Sequence, residues 1–470
     1  MEIASTITLR KFSPREYDLS RKSVAHYIEA LTLEGDGSTS PTLIELKTNY
    51  LTHSGAILKE RVISLGANDL KAAQENGYSL FLYGAGDAVS SYARIAKAAL
   101  DHHNISFKAF IDDDEARVGT KFLGHPIISS KVQQNFEEKT IILIASNYFR
   151  SILVSPACNA NGVELSSLVG ILEDTPPEAY IGLMSNEEVQ RRLHTHKSKL
   201  IQYQGLSSGL YLNALDVQVT ERCTMKCKDC SNLMQYYQRP MDADQDILVR
   251  AMNSLLAAID HLADARVIGG EPFMVKDLDK ILVLLIESEK VGQITIYTNG
   301  TIVPRPNIIE LLRASKIVIE ITDYDAHSRN LGPLVAKLRE ERIRHFAHKP
   351  QNWTDSARIV ENTLNEAQLS QMFDACCVND ALTLLHGDLY HCPFSANAVN
   401  LRAIPSSREE RINLIEQNSP EDLRARIQSW YFQRPYLDAC KFCLGRDYLQ
   451  PKVEPGVQIG KPIPIPVVVA

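Results

Sequence analysis

What most limits the fold open to this chain is a series that begins near residue 214, in which short apolar runs alternate with stretches of helical period. The apolar runs are "ALDVQVT", "ARVIGGEP", "QITIYTNG" and "KIVIEITDY", and between them stand "DILVRAMNSLLAAIDHLA", "LDKILVLLIESEK" and "NIIELLRASK". Strands covered on both faces read as unbroken apolar runs, and strict alternation with helices makes the sheet parallel. The spacing predicts an α/β chain whose centre, residues 205–365, is a partial (β/α)6 barrel of the TIM type, with the loops after the strands gathered on one rim. An earlier alternation, "YSLFLYGAGD", "SYARIAKAALDHH", "FKAFIDDDE" and "KTIILIAS", predicts a Rossmann-like doubly wound sheet over 76–185. Residues 1–75 read as a helical extension, with "SPREYDLSRKSVAHYIEAL" the clearest helical stretch. Residues 366–450 form a small C-terminal cap. The tail over 451–470, with "KPIPIPVVVA", is barred by its prolines from regular helix and is either disordered or an extended strand.

The 470 residues carry a net charge of -7 without a long Lys/Arg run, which argues against nucleic acid or an anionic membrane held by bulk electrostatics. No run of about 18 apolar residues is present, so no membrane span is expected. The opening "MEIASTITLRKFSPREYD" lacks the apolar core of a signal peptide, and the expected compartment is the cytoplasm. In a reducing compartment, nine cysteines in clustered short spacings point to metal ligation in preference to disulfides. Cys158 stands apart and reads as a small buried hydrophobe.

Three thiols, Cys223, Cys227 and Cys230, follow the first strand of the central series in "VTERCTMKCKDCSNL". A structural zinc or a closed iron–sulfur cage takes four protein ligands, so this trio borrows a distant fourth or leaves one position open. The next strands end in "GGEPF" and "YTNG". Gly269 and Gly270 permit close backbone approach, and Pro272 fixes the turn. In "KIVIEITDY", alternation sets Ile317, Ile319 and Ile321 against the helices, and Val318, Glu320 and Thr322 toward the lumen. Glu320, with Asp323 and Tyr324 at the rim, is a candidate catalytic or pocket residue; the plainer reading pairs Glu320 with a structural Arg or Lys.

The cysteine loop, GGEP and TNG together resemble the radical S-adenosylmethionine superfamily. The resemblance implies a 4Fe–4S cluster on Cys223, Cys227 and Cys230, with S-adenosylmethionine filling its open corner. It also implies that Gly269, Gly270 and Glu271 contact the methionine amino group, that Thr298 and Asn299 meet the ribose or carboxylate, and that a flavodoxin- or ferredoxin-type protein donates the electron. The family commonly has an aromatic residue before the last cysteine, where this chain has Asp229. Farther on, Cys376, Cys377, Cys392, Cys440 and Cys443 could supply a four-ligand site, zinc or 4Fe–4S. After such a barrel they resemble the SPASM or twitch extensions, which implies one auxiliary 4Fe–4S cluster on Cys392, Cys440, Cys443 and one of the adjacent pair Cys376 and Cys377; the spacing favours Cys376, with Cys377 a packed neighbour.

"YGAG" opens a helix after a strand, so Gly84 and Gly86 would let a phosphate approach, although Val89 stands where the dinucleotide fingerprint has its third glycine. With "FIDDDEARVGTKFLGHP" this resembles the N-terminal domain of bacterial nucleotide-sugar modifying proteins, which implies that Asp112 and Asp113 face a ribose or base. The expected substrate is a small molecule, a nucleotide-linked or phosphorylated sugar. The alternatives are maturation of a ribosomally made peptide, or an iron–sulfur scaffold with an inert barrel. Nothing in the sequence sets the oligomeric state.

Overall fold

The structure is a computed structural model; it describes residues 62–465 apart from 86–91, 132–135, 137–138, 147–151, 153–154, 159, 161, 205–209, 351, 380, 406–407, 417–418, 433 and 447–449. The helices expected before residue 62, together with Gly86 and Val89, lie outside the described residues. The chain divides into two compact units, up to Ser208 and from Gly209.

The first unit is built on β1 (Ile63–Ser64), α1 (Ala67–Glu75), β2 (Ser79–Tyr83), α2 (Tyr92–His102), β3 (Ala109–Asp112), β4 (Lys121–Phe122), β5 (His125–Ser129), β6 (Thr140–Ile144), β7 (Val163–Ser167), α3 (Val169–Glu173) and α4 (Asn186–Gln204). Its seven strands run in the order β1-β7-β6-β2-β3-β5-β4, parallel except for the β4–β5 pair. β6, "TIILI", is buried at every position, as a central parallel strand must be. In α2 the buried residues Tyr92, Ala93, Ile95, Ala96, Ala99 and Leu100 recur at helical spacing and form the stripe that covers the sheet. The boundary expected at residue 75 needs correcting: β1 pairs with β7, so residues from Ile63 onward already belong to this sheet. Cys158 is fully buried.

The second unit begins with β8 (Tyr211–Thr220), α5 (Gln245–Ala258), β9 (His261–Gly269), α6 (Leu278–Glu287), β10 (Val291–Thr298), α7 (Pro306–Leu312), β11 (Ile317–Thr322), α8 (Leu331–Glu340) and β12 (His345–His348). Next come β13 (Trp353–Thr354), α9 (Glu366–Ala375), the hairpin strands β14 (Leu382–Leu385) and β15 (Asp388–Tyr390), α10 (Pro393–Asn400), β16 (Arg411–Asn413), α11 (Pro420–Phe432) and β17 (Lys452–Val453). The main sheet has the order β12-β11-β10-β9-β8-β14-β15-β16, parallel from β12 to β14, with β15 and β16 antiparallel.

Two expectations change here. Among the described residues the consecutive parallel series has five strands; the sixth, β14, pairs on the far side of β8 as the first arm of the C-terminal hairpin. The expected helix through "DHLA" ends at Ala258. Ile259 is extended and β9 starts at His261, because polar residues of this strand find partners across the sheet: Arg266 meets Asp216 of β8, and Thr295 of β10 donates to Asp264, which also pairs with Arg266 along β9. Helix α5 is capped by Asp244, whose carboxylate accepts from the backbone N–H groups of Asp246 and Ile247. No described helix is long and apolar enough to cross a membrane.

Candidate active site

Parallel pairing brings the C-terminal ends of β8, β9, β10 and β11 to one edge, and backbone hydrogen bonds then lock their loops together. Gly270 N–H donates to the Thr220 carbonyl at 3.0 Å, and Glu271 N–H to the Arg222 carbonyl at 2.9 Å. A Cβ on Gly270 would lie 2.1 Å from the Arg222 carbonyl oxygen, and one on Gly269 2.3 Å from that of Thr220. Only glycine allows this approach, which seats the turn after β9 against the segment leading into Cys223. The far end of the cysteine loop is tied back by Glu221 N–H to the Met241 carbonyl, Met241 N–H to the Glu221 carboxylate, and an Arg222–Asp242 ion pair at 2.8 Å.

Glu271 is the clamp between motifs. Its fully buried carboxylate accepts from Thr298 Oγ1 at 2.9 and 3.0 Å, from Asn299 N–H at 3.0 Å and from Phe273 N–H at 3.2 Å. Three protein donors thus tie the Glu271 side chain to its own turn and to TNG. Thr298 faces Glu271, while Asn299 Nδ2 reaches the Cys223 sulfur at 3.6 Å and Thr224 Oγ1 at 3.1 Å.

Burial raises the Glu271 carboxyl from its ordinary 4.5 to about 7, against the pull of its donors. A carboxyl raised in the folded state stabilises the fold fully below its unfolded value, and that contribution is lost as pH climbs through the folded one. At 1.36 kcal/mol per unit the loss between pH ~4.5 and ~7 is on the order of 3 kcal/mol. Urea unfolding of the cluster-free chain at pH 5.5 and pH 8 should show about 2 kcal/mol of this decline, and Glu271→Gln should flatten it. An equal decline in both proteins would exclude Glu271 as its source.

Cys223, Cys227 and Cys230 influence one another electrostatically, and burial pushes the thiols up, to about 12 for Cys223 and about 11 for Cys227. Backbone N–H groups of Met225 and side-chain amides of Asn299 and Gln458 reach two of the sulfurs. Tyr324 lies beside the trio; burial first, then the three thiols, hold its hydroxyl far above the usual range. Glu320 is half-buried, and His348 Nε2 from β12 stands 3.2 Å from its carboxylate, a partner not anticipated from the sequence. Asp323 caps its own turn through Asp325 N–H and pairs with Lys349 at 3.3 Å.

The second cysteine group surrounds one small cavity, lined by Cys376, Cys392, Cys440 and Cys443 together with Phe373 and Arg446. Cys376 ends α9, Cys392 opens α10, Cys440 lies within a short 3-10 turn (Asp438–Phe442), and Cys443 closes that turn. Burial raises all four thiols, that of Cys392 to about 12. N–H groups of Ser395 and Gly445 donate to the sulfurs of Cys392 and Cys443, both at 3.3 Å. Loss of solvent works against the Arg446 charge, but Cys377, Cys376, Cys443 and Cys392 outweigh it. Among the described residues no three His, Cys, Asp or Glu side chains are arranged around a single metal ion. A four-iron cluster asks for something else, since each thiolate binds its own iron.

In the first unit, Gly84 has φ +101°, and a Cβ there would lie 2.9 Å from the Ala145 carbonyl oxygen. Asp112, expected to face a ribose, is buried, and its carboxylate accepts from Ala85 N–H at 2.7 Å and Asp114 N–H at 3.0 Å. Asp113 accepts from Tyr83 Oη at 2.6 Å and from Ser130. Asp112 thereby braces the turn after β2, and Asp113 links the end of β2 to Ser130.

Residues 217–360 match the family described as the Radical SAM superfamily, so the chain carries a radical SAM domain there. Among curated proteins, GTP 3',8-cyclase of Stenotrophomonas maltophilia (strain R551-3) is 33% identical over 94 residues, 19% of this chain and 28% of that protein. Molybdenum cofactor biosynthesis protein 1 of Homo sapiens is 24% identical over 247 residues, 50% of this chain and 38% of that protein. The chain thus spans well under half the length of these relatives. Among solved structures, BtrN in complex with AdoMet and 2-DOIA is 17% identical, with a TM-score of 0.32, over 50% of this chain and 93% of that one. Streptococcus suis SuiB bound to precursor peptide SuiA is 15% identical, with a TM-score of 0.30, over 56% and 76%.

Proposed function

We infer that this chain is a radical S-adenosylmethionine enzyme that takes a hydrogen atom from a small-molecule substrate. The observation that carries the reading is the Glu271 clamp, which joins the three-cysteine loop, the GGEP turn and TNG into one rigid rim. The donor set suits a 4Fe–4S cluster with an open corner: three half-buried cysteines on one loop, with N–H groups aimed at the sulfurs of Cys223 and Cys227. Cys223, Cys227 and Cys230 would hold that cluster, which would supply the electron for reductive cleavage of S-adenosylmethionine and so the means of taking a hydrogen atom from the substrate.

The chain's own part is placement and exclusion. Gly269 and Gly270 bring backbone to the cosubstrate, Thr298 and Asn299 stay fixed by Glu271, and Tyr324 shields the cysteine loop from water. Glu320 with His348, and Asp323 at the rim, line the approach of the substrate. Cys376, Cys392, Cys440 and Cys443 hold one auxiliary cluster, and the positive charge of Arg446 offsets their negative charge. A flavodoxin- or ferredoxin-type donor supplies the electron. The substrate class favoured is a nucleotide-linked or phosphorylated sugar, supported by the seven-stranded sheet and the tight Gly84 turn after its central strand.

The test uses the full chain, reconstituted anaerobically with iron and sulfide, incubated with S-adenosylmethionine and dithionite, and assayed for 5'-deoxyadenosine by chromatography. Nucleotide sugars and, separately, peptides are then added. Formation of 5'-deoxyadenosine, stimulated by one sugar nucleotide, is the expected result. A cluster-loaded chain that forms none would overturn the enzyme assignment; stimulation by peptides alone would overturn the sugar.

A further inference from the structure

The prolines of the C-terminal segment exclude helix, and in the structure that segment lies extended across the first cysteine loop. Lys452–Val453 pairs antiparallel with Trp353–Thr354, and Asp355 N–H donates to the Pro451 carbonyl. The chain then turns at Gly456, φ +74°, where a Cβ would stand 2.7 Å from Cδ1 of Tyr324; only glycine passes over that ring. Next it runs antiparallel to the cysteine loop. Lys228 N–H donates to the Val457 carbonyl and Ile459 N–H to the Lys226 carbonyl, both at 2.8 Å, which sets Gln458 opposite Cys227. Farther on, Ile463 N–H donates to the Gln235 carbonyl, so the strap holds the loop on both sides of Cys230.

The Gln458 amide is fixed at both ends. Lys226 N–H needs an acceptor and takes Oε1 at 2.7 Å, which leaves Nε2 to donate to the Gly456 carbonyl at 2.6 Å and to the Cys227 sulfur at 3.3 Å. A strap that only covered the loop would need no amide aimed at a ligand sulfur.

We propose that Gln458 is a positioning residue for the first cluster, and that the strap over 451–465 closes the cysteine loop while its amide donates to the Cys227 thiolate. The inference rests on the cluster assignment above. An N–H donor on a ligand sulfur withdraws charge, which favours the reduced cluster and raises its potential, and a tied loop gives up iron slowly.

The experiment follows the cluster whose electron paramagnetic resonance signal changes when S-adenosylmethionine is added. Gln458→Leu should lower its midpoint potential and release iron to a chelator on the order of tenfold faster than wild type. Gln458→Glu keeps the acceptor for Lys226 N–H but loses the donor to sulfur, and should lower the potential further while keeping the strap in place. Wild-type potential and wild-type iron release in both variants overturn the role of Gln458 and leave the cluster assignment standing. A wild-type chain with no such signal overturns both.

Discussion

A chain with Cys230 replaced by alanine is expected to lose 5'-deoxyadenosine formation by at least about a hundredfold. Cys230 lies where backbone N–H groups of Met234 and Asn232 favour its charged form against the burial that opposes it. Alanine removes one of three thiolates, and the iron it would have bound loses its only protein anchor. Iron content should fall from about eight per chain to about four if each cluster holds four irons. The fold should survive, because the loop stays pinned by Glu221, Arg222 and the strap through other residues. Retention of half the wild-type 5'-deoxyadenosine yield by a folded Cys230→Ala chain would overturn the ligand assignment.

The second large effect separates two adjacent thiols. Cys376→Ser should lose about four irons per chain, whereas Cys377→Ser should keep about eight, because Cys376 lines the cavity with Cys392, Cys440 and Cys443 and Cys377 does not. Cys377 contributes a backbone N–H to the Arg446 carbonyl, an interaction that serine preserves. In Cys376→Ser the signal that responds to S-adenosylmethionine should persist, which distinguishes loss of the auxiliary cluster from general collapse. Iron analysis and paramagnetic resonance on the two variants decide the point; equal iron in both would contradict the cavity assignment.

The α/β class and its parallel sheets were legible from the apolar runs. The boundaries that failed did so for a stated reason: His261, Asp264 and Arg266 make the start of β9 look like the polar end of a helix, and only their cross-strand partners reveal a strand. β12 is four residues with a histidine at each end, too short and too polar to read as a strand, so His348 escaped notice. The acids after β3 suggested a ribose site. The N–H of Ala85, 27 residues earlier in the chain, donates to Asp112, and no local pattern encodes that. Gln458 lies 231 residues from Cys227. Sequence spacing identifies ligands that share a loop; it gives no sign of a residue that reaches one from the other end of the chain.

The placement of β14 beside β8 sets a rule for how this chain can be cut. β8 carries the first cysteine loop at its end, and β14 lies between Cys376 and Cys392 of the second cysteine group, yet the two strands are hydrogen-bonded neighbours. Truncation after residue 365 would leave β8 with one row of unpaired backbone groups open to other chains, and a fragment with such an edge is prone to aggregate. The two cysteine groups therefore belong to one cooperative folding unit, and the C-terminal region cannot be shed or exchanged as a detachable module without a replacement strand for β8.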